Sequence, residues 1–315
     1  MCLGVYIRNR LLQLVPILFG VTFLTFGMMQ FAAGDAVDMF YDPSGSVTEE
    51  VKAERRAELG LDQPFLVQYG RWLKGMAAGD LGRSYISGKL VQESFREKLP
   101  ATISLMLVSL GMTLFIALPL GVLAAAYRGS PLDTAIRALS FIGNSLPNFF
   151  TALLLLYFFS LKLHVLPVIS QSGDSRAIFL PAATLAIAMG AKYLRQIRAV
   201  VLEELGKPYV RGLRSRGIRE HQILWRSVLK TALPMIVTLL ALSMGSLLGG
   251  TAIVETVFLW DGVGKLAVDA ILMRDYPLIQ AYVAWMSIIY VGINLLADLA
   301  VQALDPRVRA GKERL

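Results

Sequence analysis

Thiols and imidazoles are scarce in this chain: among 315 residues Cys2 is the one cysteine, and His164 and His221 are the two histidines. A single cysteine excludes a disulfide or a cysteine-built metal site within the chain. No His-Glu-x-x-His run occurs, and no Gly-x-x-x-x-Gly-Lys-Ser/Thr loop. Neither that type of zinc site nor a nucleotide phosphate cradle is therefore encoded. Charge is scarce as well, at 17% of residues, where soluble domains average about 25%. What replaces it is apolar: 55% of residues are hydrophobic and the mean hydropathy is +0.57.

The apolar residues come in runs. Residues 15–31, 103–127, 138–161, 233–260 and 278–304 are long stretches with almost no charge. Each has the roughly 20 residues that a helix needs to cross about 30 Å of hydrocarbon. A soluble core has nowhere to bury five such elements on all sides. A shorter sixth stretch, 178–190, opens near Pro181 and runs into Lys192. Six spans are expected, making an all-α polytopic membrane protein. Arg8 and Arg10 before the first run give it the basic start of a signal peptide, with Ala32–Ala33–Gly34 as a small-residue stretch behind it. The run is longer than a typical signal core, so an uncleaved first span is expected.

The net charge of +8 is distributed as topology, not as a nucleic-acid surface. Lys and Arg collect in cytoplasmic loops. Here they precede the first run, lie between the second and third (Arg128, Arg137), crowd the stretch from Lys192 to Lys230, and follow the last (Arg307, Arg309, Lys312, Arg314). Six spans put these on one side, which makes both termini cytoplasmic and leaves 33–99 on the outer face of the membrane. The chain then reads as an N-terminal stub and first span (1–32), an outer helical segment (33–99), a five-helix core (100–304) and a cytoplasmic tail (305–315). Within the outer segment, 48–59 and 65–76 have apolar residues at helical spacing, punctuated by Gly60, Gly79 and Gly82. They predict two amphipathic helices, which either simply pack there or form a contact surface for a partner.

Prolines 16, 119, 147, 181 and 234 lie in or beside the runs. Membrane helices tolerate such breaks where neighbours or water satisfy the freed backbone groups. Gly245 and Gly249, one turn apart, allow a close helix approach.

The most informative stretch is 203–230. Pro208 suits the first turn of a short helix and Gly217 its end. Between them Tyr209, Val210 and Leu213 form an apolar stripe and Lys207, Arg211 and Arg214 a basic one, with Arg216 beyond. Such a helix either inserts into a partner's groove, apolar side first, or lies flat on anionic headgroups of membrane lipid.

The stretch Tyr209-Val-Arg-Gly-Leu-Arg-Ser-Arg-Gly217, followed by Leu233-Pro234, resembles the cytoplasmic loop of binding-protein-dependent ABC importer permeases. That loop carries a Glu-Ala-Ala triplet; here Arg211, Gly212 and Leu213 stand in its place, a degeneracy similar to the peptide/nickel branch. Tyr6 to Pro16, Gly34-Asp35, Leu59 to Pro64 with Tyr69, Gly79 to Ser84, Leu99 to Thr102, Ser145 to Asn148, Gly262-Val-Gly264, Arg274 to Pro277 and Leu304 to Arg307 extend the likeness over nearly the whole chain. The resemblance implies the type I permease fold. It also implies a second permease subunit, two ATPase subunits holding ATP-Mg, and an external (periplasmic or extracellular) solute-binding protein. In it Tyr209, Val210, Arg211, Leu213, Arg214, Arg216 and Gly217 would meet the ATPase. No cofactor, metal or nucleic acid belongs to this chain itself.

The cargo is less constrained. The compact loop at 165–179 and the stretches Ser145 to Phe149 and Thr251 to Glu255 resemble the nickel type, with dipeptide or oligopeptide import as the alternative. Nickel favours nitrogen and oxygen donors, and two histidines supply few; a chelated metal would need none. Asn144, Asn148, Met189, Met244 and Glu255 are candidates to line a pathway, because polar groups inside a membrane are costly. Ordinary pairing explains Glu255 as well, and packing explains the methionines. Two other classes compete. An intramembrane enzyme would need a nucleophile and base that the two histidines do not provide within a span. A stand-alone secondary transporter commonly shows internal repeats, which are not seen here.

Overall fold

The structure, a computed structural model, describes residues 3–31, 34–41, 48–168 and 175–304. Among them the chain is helical, with one isolated antiparallel bridge, Arg83 to Leu90. In chain order the helices are α1 (Leu3–Phe31), α2 (Ala36–Tyr41), α3 (Glu49–Leu59), α4 (Phe65–Ala77), α5 (Val91–Ala126), α6 (Pro131–Ser145) and α7 (Asn148–Leu155). Then follow α8 (Phe179–Leu205), α9 (Pro208–Ser215), α10 (Glu220–Gln222), α11 (Leu229–Val257), α12 (Val263–Leu272) and α13 (Tyr276–Leu304). Among the described residues five helices are long and apolar enough to cross a membrane, or six if the bent pair α6–α7 counts as one span.

That bent pair departs from the continuous third span expected over 138–161. Leu146 is extended (φ −82°, ψ 131°) and α6 and α7 diverge by 103°. The cause is Pro147, whose ring disfavours helical backbone at the preceding residue. A π-helical stretch, Leu156–Lys162, continues α7.

The fourth span is a second departure. The helix does not stop near 190 but runs on through Lys192, Arg195 and Arg198 to Leu205. These residues were expected in a loop because charge ended the apolar run. The structure accommodates it by pairing: Arg198 with buried Asp133, and Arg195 Nη1 donating to the Ser140 carbonyl at 3.2 Å. The fifth helical segment likewise begins earlier than expected. α10, a π-helical turn (Ile223–Val228) and α11 are continuous, so Pro234 lies inside α11 instead of opening it.

The chain divides into two compact units. The first holds Ile103–Trp260 and Gly292–Leu315. Its core joins Val122, Ile136, Tyr193, Ile197, Val201, Ile223, Val228 and Ile236 from α5, α6, α8, the π turn and α11. Gly121 permits the closest approach: a Cβ there would sit 2.8 Å from Ile197 Cγ2. The second unit holds Cys2–Thr102 and Asp261–Val291, around Val91, Phe95, Val263, Ala270 and Ala281. The segment 33–99 lies within this second unit. Asp261–Val291 belongs with it, tied by Thr102 Oγ1 accepting from the Val263 amide at 2.8 Å and by the Lys98–Asp261 ion pair.

Both amphipathic helices of the second unit are present. α3 ends at Gly60, which is left-handed (φ 67°) and takes its amide back to the last turn. α4 lays Tyr69 against Phe19, Phe23 and Phe26 of α1, with the Tyr69 hydroxyl 3.1 Å from Thr22 Oγ1.

Candidate functional site

The stretch singled out in the sequence folds as the short helix α9 between two stops. Lys207 is extended (φ −72°, ψ 150°) and Pro208 occupies the first turn, where its missing N–H costs nothing. At the far end Gly217 is left-handed (φ 73°), its amide donates to Arg214 O at 2.9 Å, and the Ile218 amide donates to Leu213 O at 3.3 Å. This pair of bonds is the Schellman closure, and the contact it favours brings Leu213 and Ile218 onto one core.

The direction of the apolar stripe is the main surprise. The sequence offers it either a partner's groove or lipid headgroups. Instead Val210 is 0% exposed, inside the cluster formed by Ile197, Val201, Ile223 and Val228. Leu213 packs against the same cluster. Tyr209 straddles the boundary, with its hydroxyl donating to Glu204 Oε2 at 3.1 Å. Spacing located the stripe but could not say what it packs on. The face left exposed carries Arg211, Gly212, Arg214, Ser215, Arg216 and Gly217 and is cationic.

Ion pairs hold this face in register. Buried Glu204 pairs with Lys207 and raises the ammonium's pKa by hydrogen bonding. Arg214 reaches Glu220 with Nε at 2.6 Å and Nη2 at 3.2 Å, which raises the guanidinium's pKa further. The Tyr209 hydroxyl is pushed up mainly by burial. Nearby, Trp225, Leu229 and Leu233 with Arg226 and Lys230 line an open recess of about 510 Å³. The exposed surface there is therefore basic beside α9's buried stripe and apolar at Trp225.

The pathway candidates scatter. Asn144 lies on α6 and Asn148 begins α7, so the break at Pro147 separates the two onto different helices. Asn148 instead lies beside Gly250 of α11, whose Cβ would be 3.6 Å from its Nδ2. Met189 packs against the first unit's core. Glu255 is 0% exposed. The side chain of Met244 lies outside the described residues, as do residues 169–174 of the 165–179 loop and the 305–315 tail. Among the described residues no three His, Cys, Asp or Glu side chains are grouped to hold a metal ion.

Two features escaped the sequence reading. One is the Asp133–Arg198 fork joining α6 to α8. The other is Asp275, 1% exposed, which accepts from Ser84 Oγ and from the Tyr85 amide at 3.1 Å. Arg274 before it has a positive φ of 54° and donates to Gly34 O at 2.6 Å. Nothing in a linear pattern pairs residues that far apart.

Residues 117–310 match the family described as "Binding-protein-dependent transport system inner membrane component", and residues 3–106 match its N-terminal counterpart. The chain is 36% identical to the oligopeptide transport system permease protein AppB of Bacillus subtilis (strain 168), covering 97% of this chain and 99% of that one. It is 35% identical to a putative peptide transport system permease protein of Brucella abortus (strain 2308), over 96% and 98% of the two chains. It is 32% identical to the metal-staphylopine import system permease protein CntB of Staphylococcus aureus (strain NCTC 8325 / PS 47), over 97% and 98%. In fold it is similar to an inward-facing MetNI methionine ABC transporter structure, with TM-score 0.55 and 20% identity over 68% of this chain and 97% of that one.

Proposed function

We propose that this chain, a member of the binding-protein-dependent transport system inner membrane component family and the permease subunit of an ABC importer, carries peptides across the membrane and is driven through α9. The peptide assignment is supported by the relatives: AppB and the Brucella protein are named for oligopeptide and peptide transport and match nearly end to end. Passage of a metal chelate, including a nickel chelate, is the second reading, supported by the similarity to a metal-staphylopine permease.

In this reading the basic face of α9 is cytoplasmic and docks on an ATPase subunit, two of which hold ATP-Mg beneath this chain and a second permease. Cargo arrives on an external solute-binding protein, and both termini are cytoplasmic. The observation that carries the coupling role is the burial of Val210. Because its side chain belongs to the same buried cluster as Ile197, Val201, Ile223 and Val228, displacement of α9 is passed to the π turn that leads into α11 and to the core it shares with α8. Close-packed cores transmit displacement in this way. Closure of the ATPases then tilts these helices and switches access around a site within the bundle, the general logic of alternating access.

Uptake of a radiolabelled dipeptide, an oligopeptide and nickel, in cells with and without this chain, tests the cargo. Loss of peptide uptake alone supports the first reading, and loss of nickel uptake alone replaces it with the second.

A further inference from the structure

Trp225, Arg226, Leu229, Lys230 and Leu233 line one open recess of about 510 Å³. Their spacing puts them on a single face of the continuous helical segment made by the π turn and α11. Trp225 is 44% and Leu233 36% exposed, and both basic side chains are exposed as well. Neither the Arg226 guanidinium nor the Lys230 ammonium has an ion pair or hydrogen bond among the described residues. Glu220, the nearest acid along the chain, is engaged by Arg214. Like charges one turn apart repel each other, and this pair has no counterion of its own. The π turn Ile223–Val228, a rare form that often accompanies a functional site, carries Trp225 and Arg226.

The position along the helix says what supplies the anion. Residues 231–254 carry no charged side chain, so Lys230 is the last cation before 24 uncharged residues. As a helix these span about 36 Å, enough to cross the roughly 30 Å of hydrocarbon. Lys230 therefore stands at a membrane boundary. Arg226 lies no more than about 6 Å farther out along the axis, within the about 5–8 Å that a headgroup layer occupies. Trp225 beside it has the amphipathic ring that settles at this level. Leu233 lies on the hydrocarbon side of Lys230, where a water-soluble partner does not reach but an acyl chain does.

We propose that this recess binds an anionic phospholipid of the leaflet nearest α9. The phosphate sits between Arg226 and Lys230, the Trp225 indole lies at the glycerol level, and an acyl chain runs along Leu229 and Leu233. A guanidinium takes two phosphate oxygens in its planar fork, and the ammonium adds a point charge. The assignment depends on the chain crossing a membrane, and not on what α9 docks against or which cargo crosses.

The test is tryptophan quenching in the permease–ATPase complex, held in phosphatidylcholine nanodiscs that contain a minor share of brominated lipid. The Trp225 signal is the difference between the unaltered chain and Trp225→Phe. Each basic residue near an anionic surface contributes about a fivefold preference, so two give about 25-fold. Brominated phosphatidylglycerol should accordingly quench Trp225 at a far lower share than brominated phosphatidylcholine does. Arg226→Gln and Lys230→Gln should each lower that preference about fivefold, and the double variant should remove it. Lys230→Arg keeps the charge and should keep the preference, which separates charge from packing. Both positions are exposed, so the unfolding midpoints of these variants should stay at the wild-type value. Equal quenching by the two lipids, or a preference that survives in the double variant, overturns the proposal. So does protection of Trp225 from both lipids in the intact complex, because a protein subunit then covers the recess.

Discussion

Arg198 on α8 grips Asp133 on α6 with two parallel hydrogen bonds, Nε to Oδ1 and Nη2 to Oδ2, each 2.8 Å long. Asp133 is 1% exposed and also accepts from the Gly129 amide at 3.0 Å, so the carboxylate is buried but fully engaged. Removing one partner of such a pair strands the other charge, at a cost of about 3–5 kcal/mol. Arg198→Ala should therefore lower the thermal unfolding midpoint of the purified protein clearly. Arg198→Lys should recover only part of the loss, because lysine has no planar fork. A wild-type midpoint for Arg198→Ala would show that the fork does not hold α6 to α8.

Asp275 latches the 80–90 stretch by accepting from Ser84 and the Tyr85 amide. Asp275→Ala leaves those donors unpaired, at about 1–3 kcal/mol. The expected outcome is faster amide hydrogen exchange confined to this stretch and to the first turn of α13. Unchanged exchange would remove the latch from the account.

Val210 and Arg211 are neighbours in sequence with opposite exposures. Val210→Ala should cost about 1–3 kcal/mol of stability through lost burial and a residual cavity. Arg211→Ala should stay within about 0.5 kcal/mol, as surface changes do, and should instead weaken copurification of the ATPase. Equal stability losses for the two would contradict the inward direction of the apolar stripe.

Gly217 holds a left-handed backbone with nothing within 4 Å of where a Cβ would stand. Alanine there meets no clash and pays only backbone strain, about 1–2 kcal/mol. Gly217→Ala should keep most ATP-driven uptake, while Gly217→Trp, with similar strain, should abolish it by projecting bulk from the docking face. Similar uptake by the two variants would argue that this surface touches nothing.

The long uncharged runs made the first, second, fifth and sixth membrane-crossing helices legible, because hydropathy alone identifies them. The fourth was half legible: Arg195 and Arg198 disguise a helix as a loop until their partners Ser140 and Asp133 are known. Pro147 signalled a break but not its 103° angle, which depends on what α6 and α7 pack against. In the candidate site, the ends of α9 were readable from Pro208 and Gly217, since each is a local backbone requirement. The packing of Val210 and the burial of Glu255 were not, because both are set by distant segments.

The most direct test of coupling through α9 is a thiol crosslink. Cys2 is the only native cysteine, so Arg211→Cys in a Cys2→Ser background carries one defined thiol. The account predicts that this thiol crosslinks to the ATPase subunit, with a yield that changes on ATP binding, and resists a membrane-impermeant thiol reagent added outside intact cells. Labelling from outside, with no ATPase crosslink in any nucleotide state, would contradict it.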